Sequence, residues 1–142
     1  MTNKEFEVKE YLSRAISINK IIKSYELALE DASAKVSRSS SVVIFRKIKG
    51  ARSNSQENRL IKYCDYAIYV EKKISYYEKE KQKINEVIEK LDDNKLKSLL
   101  LLRYINGMDW DKVAKILEHD KRYTFKLHLK AIRAIISENL IH

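Results

Sequence analysis

The residue types that most clearly suggest a chemical role in this chain are the cationic and aromatic side chains between residues 121 and 130. Four Lys or Arg residues and two aromatic residues lie there, namely Lys121, Arg122, Tyr123, Phe125, Lys126 and Lys130. Cationic side chains bind phosphate groups, so this set predicts a polyanionic partner. The whole chain agrees with that prediction, because its 142 residues include 29 Lys and Arg against 20 Asp and Glu.

Catalytic constellations are missing from the sequence. His119, His128 and His142 have no Cys or carboxylate at the spacing of metal ligands, and no glycine-rich phosphate loop or nucleophile-base pattern occurs. Asp109 and Asp111 stand at the predicted start of a helix, where Asp is common because it caps backbone amides. We therefore predict no enzymatic activity, no metal and no cofactor.

The composition also indicates the cellular compartment of the protein. No apolar run approaches the roughly 20 residues that span a bilayer, and the first residues lack the apolar core of a secretory signal. The single cysteine, Cys64, cannot form an internal disulfide, which indicates a reducing compartment. These features predict a cytoplasmic protein without a membrane partner.

The elements that would present the cations have the pattern of a helix-turn-helix. Asp92 and Asp93 cap a predicted helix over residues 95–105, which Asn106 and Gly107 end. A second helix is predicted to open at Asp109 and to end near residues 118–119. A third follows Asp120 after a turn of about three residues.

Apolar residues recur at helical spacing in all three segments. The predicted inner positions are Leu96, Leu99, Leu100 and Leu102 in the first helix, Trp110, Val113, Ala114 and Leu117 in the second, and Thr124, Leu127 or His128, Ala131, Ile132 and Ile135 in the third. His128 is expected to be structural, and Trp110 is expected to fill the space between the first two helices. The outer face of the third helix is then basic, as in helices that enter the major groove of DNA. Lys112, Lys115 and Arg133 are predicted phosphate contacts.

The first 90 residues carry two heptad seams, with apolar steps of three and four. The first contains Val8, Tyr11, Ala15, Ile18, Ile22, Tyr25, Leu29, Ala32 and Val36, and the second contains Leu60, Tyr63, Ala67, Val70, Ile74, Tyr77, Ile84, Ile88 and Leu91, interrupted by Lys81. Seams of this kind predict two long helices that pack as an antiparallel coiled-coil hairpin. The predicted fold class is therefore all-α, with a hairpin domain at residues 1–90 and a helix-turn-helix domain at residues 91–142.

Residues 37–55 lie between the seams and are rich in serine and basic residues. Serine competes with the helix through its own hydrogen bonds, so we predict that the helices break in this loop. Its basic residues, which include Arg46, Lys47, Lys49 and Arg52, form either a solvated tip or a second phosphate-contacting arm. The apolar tetrad at residues 42–45 packs against a surface that the sequence does not identify.

Self-association is the expected oligomeric behaviour. Apolar residues outside the seams, namely Leu12, Ile16, Ile21, Tyr66, Tyr69 and Tyr76, would give the hairpin a second adhesive stripe. A homodimer would also suit the paired half-sites that helix-turn-helix proteins bind. The alternative is that both seams are ordinary core stripes of a compact bundle.

The sequence LRYINGMDWDKVAKIL at residues 102–117 resembles region 4 of bacterial sigma-70-type factors, which opens with LRYxxGx, then Ser or Thr, an aromatic residue and EEIAxxL. YTFKLHLKAI at residues 123–132 resembles the end of a group of small phage-encoded regulators, akin to the ArpU and RinA late-gene activators. This resemblance covers residues 91–136 and is only architectural over residues 5–90. It implies a DNA-binding transcriptional regulator that activates late or packaging genes of a phage or prophage. It also implies that the third helix reads double-stranded DNA and that host RNA polymerase is a partner.

Two departures from sigma factors narrow this expectation. Asp120 stands where sigma factors have Ser or Thr, and the chain has no counterpart of region 2, which melts promoters. Asp120 places a negative charge near phosphates and therefore favours DNA binding in general over sigma-like promoter recognition. The missing region 2 favours a regulator that acts beside an existing polymerase holoenzyme. Two alternatives stay open: a phage small terminase subunit, which marks viral DNA for packaging, and a coiled-coil protein-interaction module.

Overall fold

Helices are the only regular secondary structure in the described part of the chain. A computed structural model gives the backbone of residues 1–48 and 54–141 and the side chains of residues 1–37 and 57–141. Within these residues there are five α-helices and no strand: α1 (Asn3–Ile48), α2 (Asn54–Glu89), α3 (Asn94–Leu100), α4 (Trp110–Leu117) and α5 (Lys121–Ser137). A π-helical turn, Leu101–Ile105, continues α3. The predicted all-α class is confirmed, and no helix in the described ranges is long and apolar enough to cross a membrane.

The chain divides into two compact units. One unit combines Met1–Lys20 with Glu78–His142, and the other is Ile21–Tyr77. The division predicted at residue 90 therefore does not coincide with the boundaries of the compact units. The reason is that both long helices contribute to the core of the first unit, where Val8, Leu12, Ala15, Ile18, Ile84, Val87, Ile88 and Leu91 are buried.

The two predicted seams correspond to the less exposed faces of α1 and α2. Every position of the first seam is buried or partly buried, and so is every position of the second except Leu60, which is 48% exposed. Leu12, outside the predicted seam, is completely buried. The apolar face of α1 in the first unit is therefore wider than a two-helix seam.

The prediction that residues 37–55 form a loop is wrong for most of this segment. The backbone of α1 stays helical through Ile48, and α2 already begins at Asn54. Serine is less favourable than alanine in a helix by only a few tenths of a kcal/mol, and neither Gly nor Pro interrupts the chain before Gly50. The predicted roles of the tetrad at residues 42–45 and of the basic tip concern side chains outside the described residues.

Aspartate caps begin the three C-terminal helices as the sequence predicts. An Asp93 carboxylate oxygen accepts hydrogen bonds from the backbone N–H groups of Lys95 at 2.9 Å and Leu96 at 3.2 Å. The carboxylate of Asp109 accepts from Lys112 N at 2.9 Å, and that of Asp120 accepts from Tyr123 N at 2.7 Å. Each carboxylate satisfies amides that the first helical turn leaves without an intrahelical partner.

The predicted helix over residues 95–105 changes its hydrogen-bond pattern after Leu100. Its last five residues form the π turn, closed by Asn106 N–H, which donates to the carbonyl of Leu101 at 2.9 Å. Arg103 Nη1 donates to the carbonyl of Met108 at 2.9 Å, and Asn19 Nδ2 of α1 donates to the carbonyl of Ile105 at 3.2 Å. Side chains from two helices thus hold the connection that leads into α4.

Gly107 in this connection has φ +69°, the left-handed region that L side chains rarely adopt. A Cβ there would lie 3.4 Å from Asn19 Nδ2, which is an ordinary contact. The cost of replacing Gly107 therefore comes from the backbone angle and not from a steric clash. We expect Gly107→Ala to lower the free energy of unfolding by about 1 kcal/mol because of its backbone angle. Gly107→Asn should lose less, since Asn tolerates this conformation. Urea unfolding of both variants checks the order, and equal losses would contradict it.

Candidate nucleic-acid interface

The inner side of α5 determines which of its residues face solvent. Its buried residues are Thr124, Leu127, His128, Ala131, Ile132 and Ile135, so both residues of the predicted pair Leu127 and His128 face inward. All six predicted DNA-contacting residues, Lys121, Arg122, Tyr123, Phe125, Lys126 and Lys130, are exposed. The predicted separation of an apolar inner face from a basic outer face is confirmed.

Arg122, Lys126 and Lys130 form a row along the exposed side of α5. Their spacing of four residues places them on one side of the helix, over about 12 Å at 1.5 Å rise per residue. No hydrogen bond or ion pair joins these three side chains to another residue in the described part of the chain. We call them the cation row. Their charges are available to an anionic ligand.

The cations on either side of this row are engaged. Lys121 Nζ lies 3.0 Å from the Asp111 carboxylate of α4. Arg133 Nε donates to Glu5 Oε1 of α1 at 3.0 Å. Of the three predicted phosphate contacts, Lys112 and Lys115 are exposed on α4, whereas Arg133 already has a carboxylate partner.

Glu5 is a buried carboxylate that sequence reasoning missed. Its Oε2 accepts from the backbone N–H of Thr2 at 3.2 Å, and its own N–H donates to Thr2 Oγ1 at 3.2 Å, which is a reciprocal capping box. The hydrogen bond from Arg133 and that from Thr2 lower the pKa of Glu5. The ThrxxGlu pattern signals the cap, but nothing local signals a partner 128 residues later in the chain.

The two exposed aromatic residues of α5 contact the turn before this helix and the neighbouring helix α4. Tyr123 meets His119 edge to face at 4.6 Å between ring centroids, and Lys95 Nζ lies 5.3 Å from the Tyr123 ring centroid. Phe125 meets Trp110 edge to face at 5.2 Å. Lys95 was not among the predicted site residues, although it extends the basic surface to the start of α3.

Trp110 contacts one more helix than the sequence predicts. Besides Phe125, its ring contacts His128 of α5 at 4.6 Å, and the Arg103 guanidinium lies 4.9 Å from its centroid. It therefore packs between the π turn and α5, rather than only between the first two helices of the predicted motif. A large ring at the start of α4 can reach α5 because α5 crosses beside it, which a one-dimensional pattern does not reveal.

A buried hydrogen bond lies beneath Trp110. Tyr104 Oη and His128 Nε2 are 2.6 Å apart, and the two side chains are 1% and 6% exposed. Burial lowers the pKa of His128 to about 4 and raises the pKa of Tyr104 to about 12. Both groups are therefore neutral at pH 7, and their hydrogen bond meets the polar requirement of each.

Among the described residues, no group of three His, Cys, Asp or Glu side chains could hold a metal ion. The arrangement of exposed cations over a rigid apolar and aromatic base suits the binding of a polyanion. The fold and the surface therefore define an all-helical protein with a basic helix face.

Comparisons of the chain with protein-family models, curated proteins and solved structures gave no match.

The His128 environment predicts acid sensitivity. The unfolded chain binds a proton at His128 near the ordinary pKa of 6.5, whereas the folded chain does so only near 4. The contribution of His128 to stability is therefore complete above pH 6.5 and falls as the pH drops from 6.5 toward 4, by about 3 kcal/mol in total. We expect His128→Gln to flatten this part of the profile, measured by urea unfolding between pH 7 and pH 4.5.

His119→Gln is the matched control, because it also removes one imidazole but keeps His128. It should retain the loss of stability seen in the parent chain. An equally steep loss in His128→Gln would show that another group causes the acid sensitivity.

Proposed function

We propose that this protein is a sequence-specific DNA-binding transcriptional regulator in which α3 with its π turn, α4 and α5 form a helix-turn-helix and α5 is the recognition helix. The cation row carries the proposal. Arg122, Lys126 and Lys130 are exposed and have no partner among the described residues, while the opposite side of α5 is buried. A rigid helix with a basic outer face is the element that such proteins insert into the major groove.

The connections between the helices support this assignment. α4 ends at Leu117, its C-cap Glu118 has φ 59°, and Asp120 caps α5, so only residues 118–120 separate the two helices. This is the length of a helix-turn-helix turn. Because α3 and α4 both contact α5, they hold it at a fixed orientation.

The positions and contacts of the residues on α4 and α5 suggest a different role in DNA binding for each group of them. N-terminal residues of a recognition helix face base edges, so Arg122 and Lys126 are assigned to base readout. Lys130 with Lys112 and Lys115 of α4 is assigned to phosphate contacts, which position the helix without reading sequence. Tyr123 and Phe125 pack on His119 and Trp110, so their main role is to hold the exposed surface in shape.

The resemblance to phage regulators suggests which genes the protein regulates and which partners it has. On that basis the protein activates late or packaging genes of a phage or prophage and contacts host RNA polymerase. It acts as a homodimer through a helical hairpin formed by α1 and α2. The hairpin is supported by Arg14 of α1, which lies 3.4 Å from Glu80 of α2, and by Tyr25, which contacts Tyr69 and Tyr77.

The first test selects binding sites from a random duplex library with the full chain and measures affinity for the enriched sequence by fluorescence anisotropy. We expect Arg122→Ala and Lys126→Ala each to weaken that affinity by about 1 to 3 kcal/mol without lowering thermal stability, because each removes a base contact from an exposed side chain.

The matched control is Lys79→Ala with Lys90→Ala. It removes the same charge from exposed positions of α2 and beyond its end. This control should bind nearly as well as the parent chain. If no sequence is enriched, or if a variant that combines Arg122→Ala with Lys126→Ala binds like this control, the assignment of α5 fails. Rings of eight or more subunits would favour the terminase alternative.

The second test concerns phosphate contacts. We expect Lys112→Ala and Lys115→Ala to weaken binding to all duplexes and to leave the preferred sequence unchanged. Each should reduce the slope of log affinity against log salt by about 0.9 per lost phosphate contact. A salt slope equal to that of the parent chain would remove these residues from the interface.

A further inference from the structure

α2 exposes three tyrosines along one side of the second compact unit. Tyr66, Tyr69 and Tyr76 are 36%, 49% and 56% exposed. Steps of three and seven residues place them on one helical face, together with Lys73. We call Tyr66, Tyr69 and Tyr76 the tyrosine face. Aromatic rings are concentrated in the buried centres of protein interfaces, so their exposure here requires an explanation.

The rings of the tyrosine face are already held in place. Tyr69 stacks on Tyr66 at 6.3 Å between centroids with 28° between planes, and it meets Tyr25 of α1 edge to face at 6.5 Å. Lys73 Nζ lies 5.7 Å from the Tyr69 centroid. Tyr76 contacts Tyr77 at 5.2 Å. Rings fixed before binding lose little conformational freedom when a partner covers them.

The charges around Tyr69 are ordered for pairing with a copy of the same helix. If two α2 helices pack antiparallel with Tyr69 on Tyr69, Asp65 faces the partner's Lys73. In the same register Lys62 faces the partner's Tyr76, and Lys72 faces the partner's Tyr66. The first pairing is an ion pair, and the other two place a cation near an aromatic ring. Each occurs twice, as a twofold axis requires.

We propose that the tyrosine face is the contact between two copies of this chain, packed antiparallel about a twofold axis at Tyr69. The inference rests on the homodimer included in the proposed function, and it does not depend on DNA binding. It assigns that dimer to α2 residues 62–76.

Charge balance favours a second copy over a nucleic acid on this surface. Residues 57–77 carry four Lys or Arg and three Asp or Glu, whereas the whole chain carries a net charge of +9. A surface that tracks phosphates needs an excess of cations, which this segment lacks. A nearly neutral segment is the part of a basic protein that two copies can bring together with little repulsion.

Cysteine cross-linking tests the axis directly. Residues on a twofold axis face their own copies, and Cα atoms of packed helices that point at one another come within disulfide range. In a Cys64→Ser background, which removes the exposed native thiol, Tyr69→Cys should form a covalent dimer under mild oxidation. The control is Ile68→Cys, which is equally accessible at 52% exposure but points to another side of α2. It should stay monomeric on a denaturing gel.

Sedimentation equilibrium with charge reversal tests the register without altering a tyrosine. Asp65→Lys should raise the dimer dissociation constant about tenfold, because two like-charged contacts replace two ion pairs. Adding Lys73→Asp should restore dimerisation, since the reversed pairs match again. Asp65 and Lys73 are eight residues apart in one helix, so the rescue cannot arise within one chain.

The cross-linking and sedimentation results either support or overturn the proposed dimer contact. A cross-link at Tyr69 with rescue by the double reversal supports the proposal. A cross-link at Ile68, the absence of rescue, or a monomeric parent chain at tens of micromolar overturns it, and a monomer would leave the tyrosine face to a different partner. The Arg122→Ala and Lys126→Ala variants should dimerise normally, so a failure of DNA binding and a failure of this contact are distinguishable.

Discussion

The buried contact between Tyr104 and His128 is the constraint on which the C-terminal helices depend. Two polar groups without access to water must satisfy each other, and only one rotation of α5 brings His128 within 2.6 Å of Tyr104. Successive residues of a helix are 100° apart, so a shift by one position would leave this pair unmatched and turn charged side chains toward the core. The identity of the exposed face of α5 is therefore a consequence of what lies beneath it.

The sequence predicts the C-terminal helices well because the features that define them are local. Aspartate caps at residues 93, 109 and 120, the stop at Gly107 and the apolar spacing each depend on a few neighbouring residues. The extension of α1 through Ile48 was missed because weak serine preferences do not outweigh a long helix that lacks Pro and Gly. The pairing of Glu5 with Arg133 and the reach of Trp110 to α5 depend on distant residues, which leave no trace in local spacing.

The ion pairs on α5 have a consequence for the proposed function. Lys121 at its start and Arg133 near its end are held by carboxylates of α4 and α1, and the cation row lies between them. A phosphate that recruits a paired cation must displace a carboxylate, which reduces the net gain. Unpaired cations meet no such competition. Contacts within the chain therefore concentrate the available charge on Arg122, Lys126 and Lys130, in the middle of the exposed face.

Three unpaired cations on one helix are few for tight and selective binding, because each good base contact discriminates by only about 1 to 3 kcal/mol. Two linked copies of α5 would bind one duplex together, and the second contact would form at the high effective concentration that linkage provides. This gain requires a dimer that forms despite a net charge of +9 on each chain. Self-repulsion is smallest when the contact surface is nearly neutral and the excess charge lies elsewhere. The balanced charges of α2 and the basic face of α5 have this division, so the proposed dimer contact and the proposed polyanion contact would use different surfaces of one basic chain.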